Sequence, residues 1–397
     1  VVAAAIELLL AILREAAIDD PAGSVYAFIT RGARRRPTVA ALAALARGLQ
    51  LEHPNSYGGV IDYDDESRDQ KETQNMASWR PKTLGERQYC VSVDVKGVAR
   101  AARLTRAPRL LDCSHADLHK SSILLGPRCR VIGGTNGVGL GLARAVAASK
   151  QVTSLVLIGR SGHVDVDTRR EIESSGVSVD VIAADVNDAA TTSTTLTDST
   201  AGSIIWCAGT TGNEPLATVN SADCWKVMAP KVAAANAIQS ASKNVNIVLI
   251  SSVSSVWGHK GAAHYAAGNA FLDALAERER SHDQLSSPSR IIISVRFGPI
   301  SGTRMISTKD ELRLKRLGLG CIKPECVFPV IARLLAMSRT EVVVADLHQG
   351  AFASVHAASF GKDWDLLANL REEQINSELV EVGTADTNAM NVDIRDV

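Results

Sequence analysis

Short, continuous apolar runs rich in valine and isoleucine recur along the second two-thirds of the chain. They fall at Arg130–Ile132, Ser154–Ile158, Ser178–Ala183, Ser203–Cys207, Ile247–Ile250, Ile291–Val295 and Glu341–Val344. Continuity rather than alternation is the pattern of strands buried on both faces. Stretches with helical spacing separate them, so the order predicts a doubly wound parallel sheet of about seven strands. The first third repeats the theme on a smaller scale. An apolar helix opens the chain, Ser24–Thr30 reads as a strand and Pro37–Leu51 as an Ala/Leu-rich helix. Gly59–Asp62 and Gln88–Asp94 read as further strands. Strand–helix–strand order predicts a small α/β unit with a parallel sheet. Residues 64–78 are polar and read as a surface loop, and His53-Pro54 reads as a turn.

Two stretches carry candidate chemistry. The first apolar run leads into Gly133-Gly134-Thr135-Asn136-Gly137-Val138-Gly139, and a helical pattern follows at once. Glycines between a strand and a helix let the backbone approach a pyrophosphate, with the N–H groups of the helix N-terminus facing it. A plain tight turn is the alternative. Arg160 ends the next strand, where an arginine can pair with the 2′-phosphate of NADP and an acid would favour NAD; a solvated surface arginine is the other reading. Asp185-Val186 ends the third strand, where a carboxylate can accept from an adenine amino group or cap a helix.

The second stretch is Ile247–Ala276, a strand, a glycine-containing loop and a helix. Ser251 and Ser252 end the strand. Tyr265 and Asn269 lie four residues apart and share one helix face. A strand-end serine opposite a helical tyrosine can donate a proton to a carbonyl substrate, or the two can merely satisfy each other.

Composition narrows the field. The 397 residues carry no net formal charge and are 46% hydrophobic but only 4% aromatic. No basic excess points to nucleic acid. Seven scattered cysteines (Cys90, Cys113, Cys129, Cys207, Cys224, Cys321, Cys326) show no metal-ligand spacing and fit reduced thiols in the cytoplasm. The opening run of residues 1–17 is too short to span a bilayer, is punctuated by Glu7 and Arg14, and lacks a basic leader segment. Its abrupt start inside a helical pattern reads as a fragment of something longer.

Several motifs in order resemble one family. The glycine loop, ISSVSSVWGHKGAAHYAAGNAFLDALA (residues 250–276), Pro230-Lys231-Val232, Phe297-Gly298-Pro299-Ile300, and, in the first third, FITRGA, LARGLQLEHP and ARLTRAP match their counterparts in ketoreductase domains of modular polyketide synthases. These belong to the short-chain dehydrogenase/reductase superfamily. The resemblance covers about residues 15–371 and implies two Rossmann-like subdomains: a degenerate structural one at 1–125 and a catalytic one at 126–371, with 372–397 as linker. It implies NADPH-dependent reduction of a β-ketoacyl thioester tethered to an acyl carrier protein, beside neighbouring synthase domains, with no membrane or metal. Tyr265 would be the proton donor and Ser252 its partner on the substrate oxygen, with Ser251 facing away. Lys231 would lower the tyrosine pKa, and Asn269 would hold a relay water. Gly133, Thr135, Asn136, Gly137, Val138, Gly139, Arg160, Asp185, Val186, Cys207, Ala208, Gly209 and Pro299 would line the cofactor. The segment from about Pro299 to Gly320 would be a lid. A free-standing alcohol dehydrogenase and a silent ketoreductase scaffold are the alternatives.

Departures from the family pattern are informative. Ile132 replaces a threonine, and Trp206-Cys207-Ala208-Gly209 replaces HAAG. Thr211-Gly212-Asn213 stands where one class carries Leu-Asp-Asp. Trp257, eight residues before Tyr265, matches the tryptophan of the A-type class, which yields L-hydroxy products, although it could be simple packing. Ala262 stands where epimerising members carry histidine, and His264 is displaced from that position. Gly298 and Met305 complete the expected substrate wall.

Overall fold

The computed structural model describes residues 7, 26–54, 57–63, 90–93, 99–106, 125–190, 202–242, 244–283, 290–303, 306–339, 342–360, 366–367, 370 and 390–396. The first unit holds β1 (Tyr26–Arg31), α1 (Pro37–Glu52), β2 (Tyr57–Tyr63), β3 (Cys90–Val93) and β4 (Ala99–Arg106). β1, β2 and β3 pair in parallel, but β4 runs antiparallel to β3. The sheet of this unit is therefore mixed rather than parallel throughout. β4 has the sequence ARAARLTR, whose alanines and arginines gave no strand pattern. The opening helix lies outside the described residues apart from the helical Glu7, and so does the 64–78 loop.

The second unit interleaves strands and helices. β5 (Arg128–Ile132) leads into α2 (Gly137–Ala148), β6 (Ser154–Gly159) into α3 (Val166–Glu173), and β7 (Ser178–Ala183) precedes β8 (Ser203–Trp206). Then come α4 (Ser221–Val232), α5 (Ala234–Ser240), β9 (Asn246–Ser252), α6 (Ser254–Trp257), α7 (Ala263–Asp283) and β10 (Ile292–Phe297). The chain continues through α8 (Thr308–Arg316), β11 (Leu319–Gly320), α9 (Pro324–Ala336), β12 (Val342–Leu347), α10 (Gln349–Phe360) and β13 (Met390–Asp396). The strands lie in the order β12-β10-β9-β8-β5-β6-β7, and every neighbouring pair is parallel. Strand order reverses at β5, which places the crevice for a ligand at the carboxyl ends of β5 and β8. Beyond β12, β13 pairs antiparallel with both β12 and β4 and joins the two units into one sheet. Residues 390–396 lie within the expected linker; their alternating Met390, Val392 and Ile394 suit a strand, although the surrounding polar composition hid it.

One hydrophobic cluster crosses from unit to unit. Ala40, Ala41, Ala44, Leu45 and Leu49 of α1 share it with Trp206, Met228, Ala263, Ala267 and Leu272. The two helices approach so closely that a methyl group on Gly48 would sit 2.1 Å from the Ala263 Cβ. Small residues on both faces allow that approach. Among the described residues, no helix is long and apolar enough to cross a membrane, and no group of three or more His, Cys, Asp or Glu could hold a metal ion.

Candidate active site

The glycine loop sits where β5 meets α2. Gly133 adopts φ +80° and Gly137 φ +53°, conformations that side chains rarely take. A Cβ on Gly139 would lie 2.2 Å from the Gly133 carbonyl oxygen, and one on Gly133 would lie 2.8 Å from the Ala208 nitrogen. Glycine is thus required by close backbone approach as well as by φ. Asn136 caps α2 without a side-chain hydrogen bond, so the first-turn N–H groups are left for an anion. Thr135 is buried against Gly159, while Gly137 and Val138 are half-buried and Asn136 is exposed. A cavity of about 1020 Å³ borders Thr135, Asn136, Val138 and Ser161 on the outer side of this loop; Tyr265 does not line it.

Arg160 follows β6 directly and is exposed. Asp185 is also exposed, and its Oδ1 accepts from the Asn187 backbone N–H at 2.9 Å, so the carboxylate shapes its own turn. Val186 packs half-buried against the core.

The wall of the crevice is β8. The Cys207 N–H donates to the Ile132 carbonyl at 2.8 Å and fixes the wall against the glycine loop. Burial pushes the Cys207 thiol up to about 12, so it is a neutral thiol. Trp206 is fully buried, and its indole Nε1 donates to the Pro230 carbonyl at 3.1 Å. That contact holds the helix residue immediately before Lys231. Ala208 is buried behind the loop, and a methyl group on exposed Gly209 would touch the Lys231 Nζ at 3.3 Å.

Lys231, Ser252, Tyr265 and Asn269 converge from α4, β9 and α7. Lys231 is only 5% exposed, and its Nζ donates to the Ile250 carbonyl at 3.4 Å. Desolvation lowers its pKa to about 8, opposed by the charge of the Asp273 carboxylate. Tyr265 is half-buried at the surface of the site. Burial raises the pKa of its phenol, and the side chains of Asn269 and Ser252 pull it back. The phenol is therefore protonated at neutral pH. Asn269 is fully buried; its Nδ2 donates to the Tyr265 carbonyl at 2.9 Å, and its Oδ1 has no protein partner. Ser252 is half-buried and its Oγ accepts from the Ser254 N–H at 3.2 Å. Ser251 points the other way: it is buried and donates to the Asn269 carbonyl at 3.2 Å.

The expected substrate wall is placed in part. Trp257 is 3% exposed and stacks edge-to-face on Phe352 with ring centroids 5.0 Å apart. Gly298 is buried with its N–H donating to Val344, and the Pro299 carbonyl accepts from the Ile322 N–H, both at 2.7 Å. Met305 lies outside the described residues.

Three side chains near this site went unread in the sequence. Asp273 accepts from Ser255, Ser294 and Arg296 beneath the loop after β9. Arg47 and Glu52, both on α1, reach the same region. Arg47 Nη2 donates to the Ser255 carbonyl at 2.7 Å. Glu52 ends α1, where a carboxylate opposes the helix dipole. That misplaced charge was the available signal.

Comparison with known proteins bears on this constellation. Residues 129–301 match the family model of the KR domain. The chain belongs to the ketoreductase domains of modular polyketide synthases. It is similar to the erythronolide synthase EryA3 of Saccharopolyspora erythraea, with 29% identity over 354 residues, 86% of this chain and 11% of that synthase. It is also 31% identical over 333 residues to polyketide synthase GfsB of Streptomyces halstedii, 79% of this chain and 6% of that protein. The ketoreductase domain thus spans a small part of the curated relatives it matches. Among solved structures it resembles the ketoreductase PlmKR1 from the first module of phoslactomycin biosynthesis in Streptomyces sp. HK803. The TM-score is 0.77 at 25% identity, covering 93% of this chain and 85% of that one.

Proposed function

We propose that this domain reduces a β-ketoacyl thioester, held on an acyl carrier protein, to the β-hydroxyacyl thioester. The observation that carries the reading is the meeting of Lys231, Ser252, Tyr265 and Asn269, from three separate elements, around one half-buried phenol.

The crevice fits a nicotinamide dinucleotide. Gly133, Gly137 and Gly139 leave backbone where any Cβ would intrude or be strained, and the N-terminus of α2 offers N–H groups to a pyrophosphate. The exposed Arg160 after β6 supports a contact with a 2′-phosphate and hence NADPH. When bound, NADPH supplies the hydride that reduces the β-carbon. The protein's part is to hold the ketone and deliver a proton. Ser252 Oγ donates a hydrogen bond to the substrate oxygen, and the Tyr265 hydroxyl transfers its proton to that oxygen as negative charge develops. Lys231, charged below about pH 8, stabilises the phenolate left behind. The unpartnered Oδ1 of Asn269 suits a water through which the phenolate is reprotonated.

The same site favours the A-type, L-hydroxy product. A Cβ on Gly212 would lie 2.1 Å from His264 Nε2, so the aspartate of the other class has no room here unless His264 moves. Trp257, locked on Phe352, acts through the shape of the loop rather than by exposure. Incubation with a β-ketoacyl thioester and NADPH, followed by chiral chromatography, tests both points. No product overturns the reductase reading; a predominantly D product overturns the stereochemical one.

A further inference from the structure

A purely structural unit need only pack, yet α1 does more than pack. Its last residue, Glu52, places one carboxylate oxygen on each of two loops. Oε2 accepts from the Leu216 N–H at 2.9 Å, and Oε1 accepts from the Gly261 N–H at 3.0 Å. The first loop follows β8 and carries Gly209, beside Lys231, and Gly212, beside His264. The second runs from Gly258 to Ala262 and feeds directly into Tyr265, whose N–H donates to the Ala262 carbonyl. One side chain thus ties the lysine side of the site to the tyrosine side. Five residues earlier on the same helix, Arg47 holds the Ser255 carbonyl, and Ser255 Oγ lies 2.8 Å from the Ser252 carbonyl and 2.6 Å from Asp273. The loops rest on α1 at main-chain atoms, which fixes backbone position rather than side-chain chemistry.

We propose that Glu52 is a positioning residue for the acyl substrate: its carboxylate staples the 209–216 loop to the 258–262 loop and sets the width of the acyl approach beside Tyr265. The inference rests on the reductase reading of the site. A carboxylate suits the task because it offers an acceptor to each loop and no donor. An amide keeps one acceptor and turns an NH₂ group toward the other N–H, so Gln restores one half of the staple. Alanine restores neither. Among the described residues, Glu52 accepts no hydrogen bond from the glycine loop or from Arg160, so the phosphate end of the cofactor crevice is held independently of it.

The test uses the full chain with Glu52→Ala and Glu52→Gln. Amide hydrogen exchange should quicken about tenfold at 209–216 and 258–262 in Glu52→Ala, with residues 133–139 unchanged. The KM for a β-ketoacyl thioester should rise about tenfold and the ratio of alcohol epimers should erode, while kcat and the NADPH dissociation constant stay within about twofold. Glu52→Gln should fall between alanine and wild type on each measure, and it keeps the test alive if the alanine variant does not fold. Unchanged loop exchange overturns the staple. So does a uniform rise in exchange with a lower Tm and an unaltered KM, which marks mere destabilisation. A wild-type protein that reduces no β-ketoacyl thioester overturns the reductase reading instead, and the exchange pattern then decides the staple alone.

Discussion

The ammonium nitrogen of Lys231 lies 5.8 Å from the centroid of the Tyr265 ring. The two residues sit on different helices, α4 and α7, and meet because both helices pack on the same face of the sheet. A buried cation beside a half-buried phenol is costly unless it serves the phenolate.

Removing the proton donor tests that arrangement directly. Tyr265→Phe keeps the ring and its packing but deletes the hydroxyl. Reduction of a β-ketoacyl thioester should fall by at least about 10²-fold, the scale of lost positioned acid catalysis. NADPH binding, followed by fluorescence titration, should stay near wild type. Near-normal turnover would refute the role given to the tyrosine.

Activity and stability should respond to alkali in opposite directions. The Lys231 pKa is lowered from 10.5 to about 8 by desolvation. The side chain is therefore charged below pH 8, so kcat/KM should fall about tenfold per pH unit above that value. Between about 8 and 10.5 the unfolded chain binds a proton that the folded chain does not. This group's contribution to stability therefore rises with pH across that window. Lys231→Met should abolish both trends. The measurements are a pH–rate profile and denaturant unfolding of the cofactor-free protein; a rate profile flat to pH 10 contradicts the assignment.

Cofactor choice should rest on one guanidinium. Arg160→Ala should raise the KM for NADPH far more than that for NADH, because only the former carries the 2′-phosphate. Steady-state kinetics with both cofactors measures the ratio, and an unaltered ratio would remove Arg160 from the site.

The crossing of α1 and α7 leaves no room at Gly48. Gly48→Val should destabilise the protein by roughly 1–3 kcal/mol, as overpacking does, and a thermal melt would show it. If the variant melts with the wild type, the helices are not held at this separation.

Much of this is legible in the sequence. Six of the seven parallel strands announced themselves because burial on both faces demands unbroken apolar runs; β7 does not share that burial, since as the edge strand it leaves Ser178, Asp180, Ile182 and Ala183 exposed. The glycine loop, the Ser251-Ser252 pair, Tyr265 and Asn269 announced themselves because strand–turn–helix spacing restricts which residues can meet; the choice of Ser252 and of Lys231 rests on the family resemblance. β4 and β13 did not, since ARAARLTR carries an arginine at every third position and MNVDIRD sets Asp393, Arg395 and Asp396 among its apolar residues. Arg47 and Glu52 did not either. They act on main-chain atoms of loops more than 160 positions away, and contacts to backbone leave no complementary residue type to read. Trp206 reads in the sequence only as a replacement in the usual wall; its bond to Pro230 emerges only when β8 and α4 are adjacent.

The alanine-lined seam between α1 and α7 also bears on how such chains can be recombined. Residues 40–49 and 263–276 fill one another's space to within a methyl group. A chimaera that draws them from different parents would inherit two halves of a lock cut to different keys. The splice that preserves fit lies ahead of β1, so that both helices descend from a single parent and are inherited together.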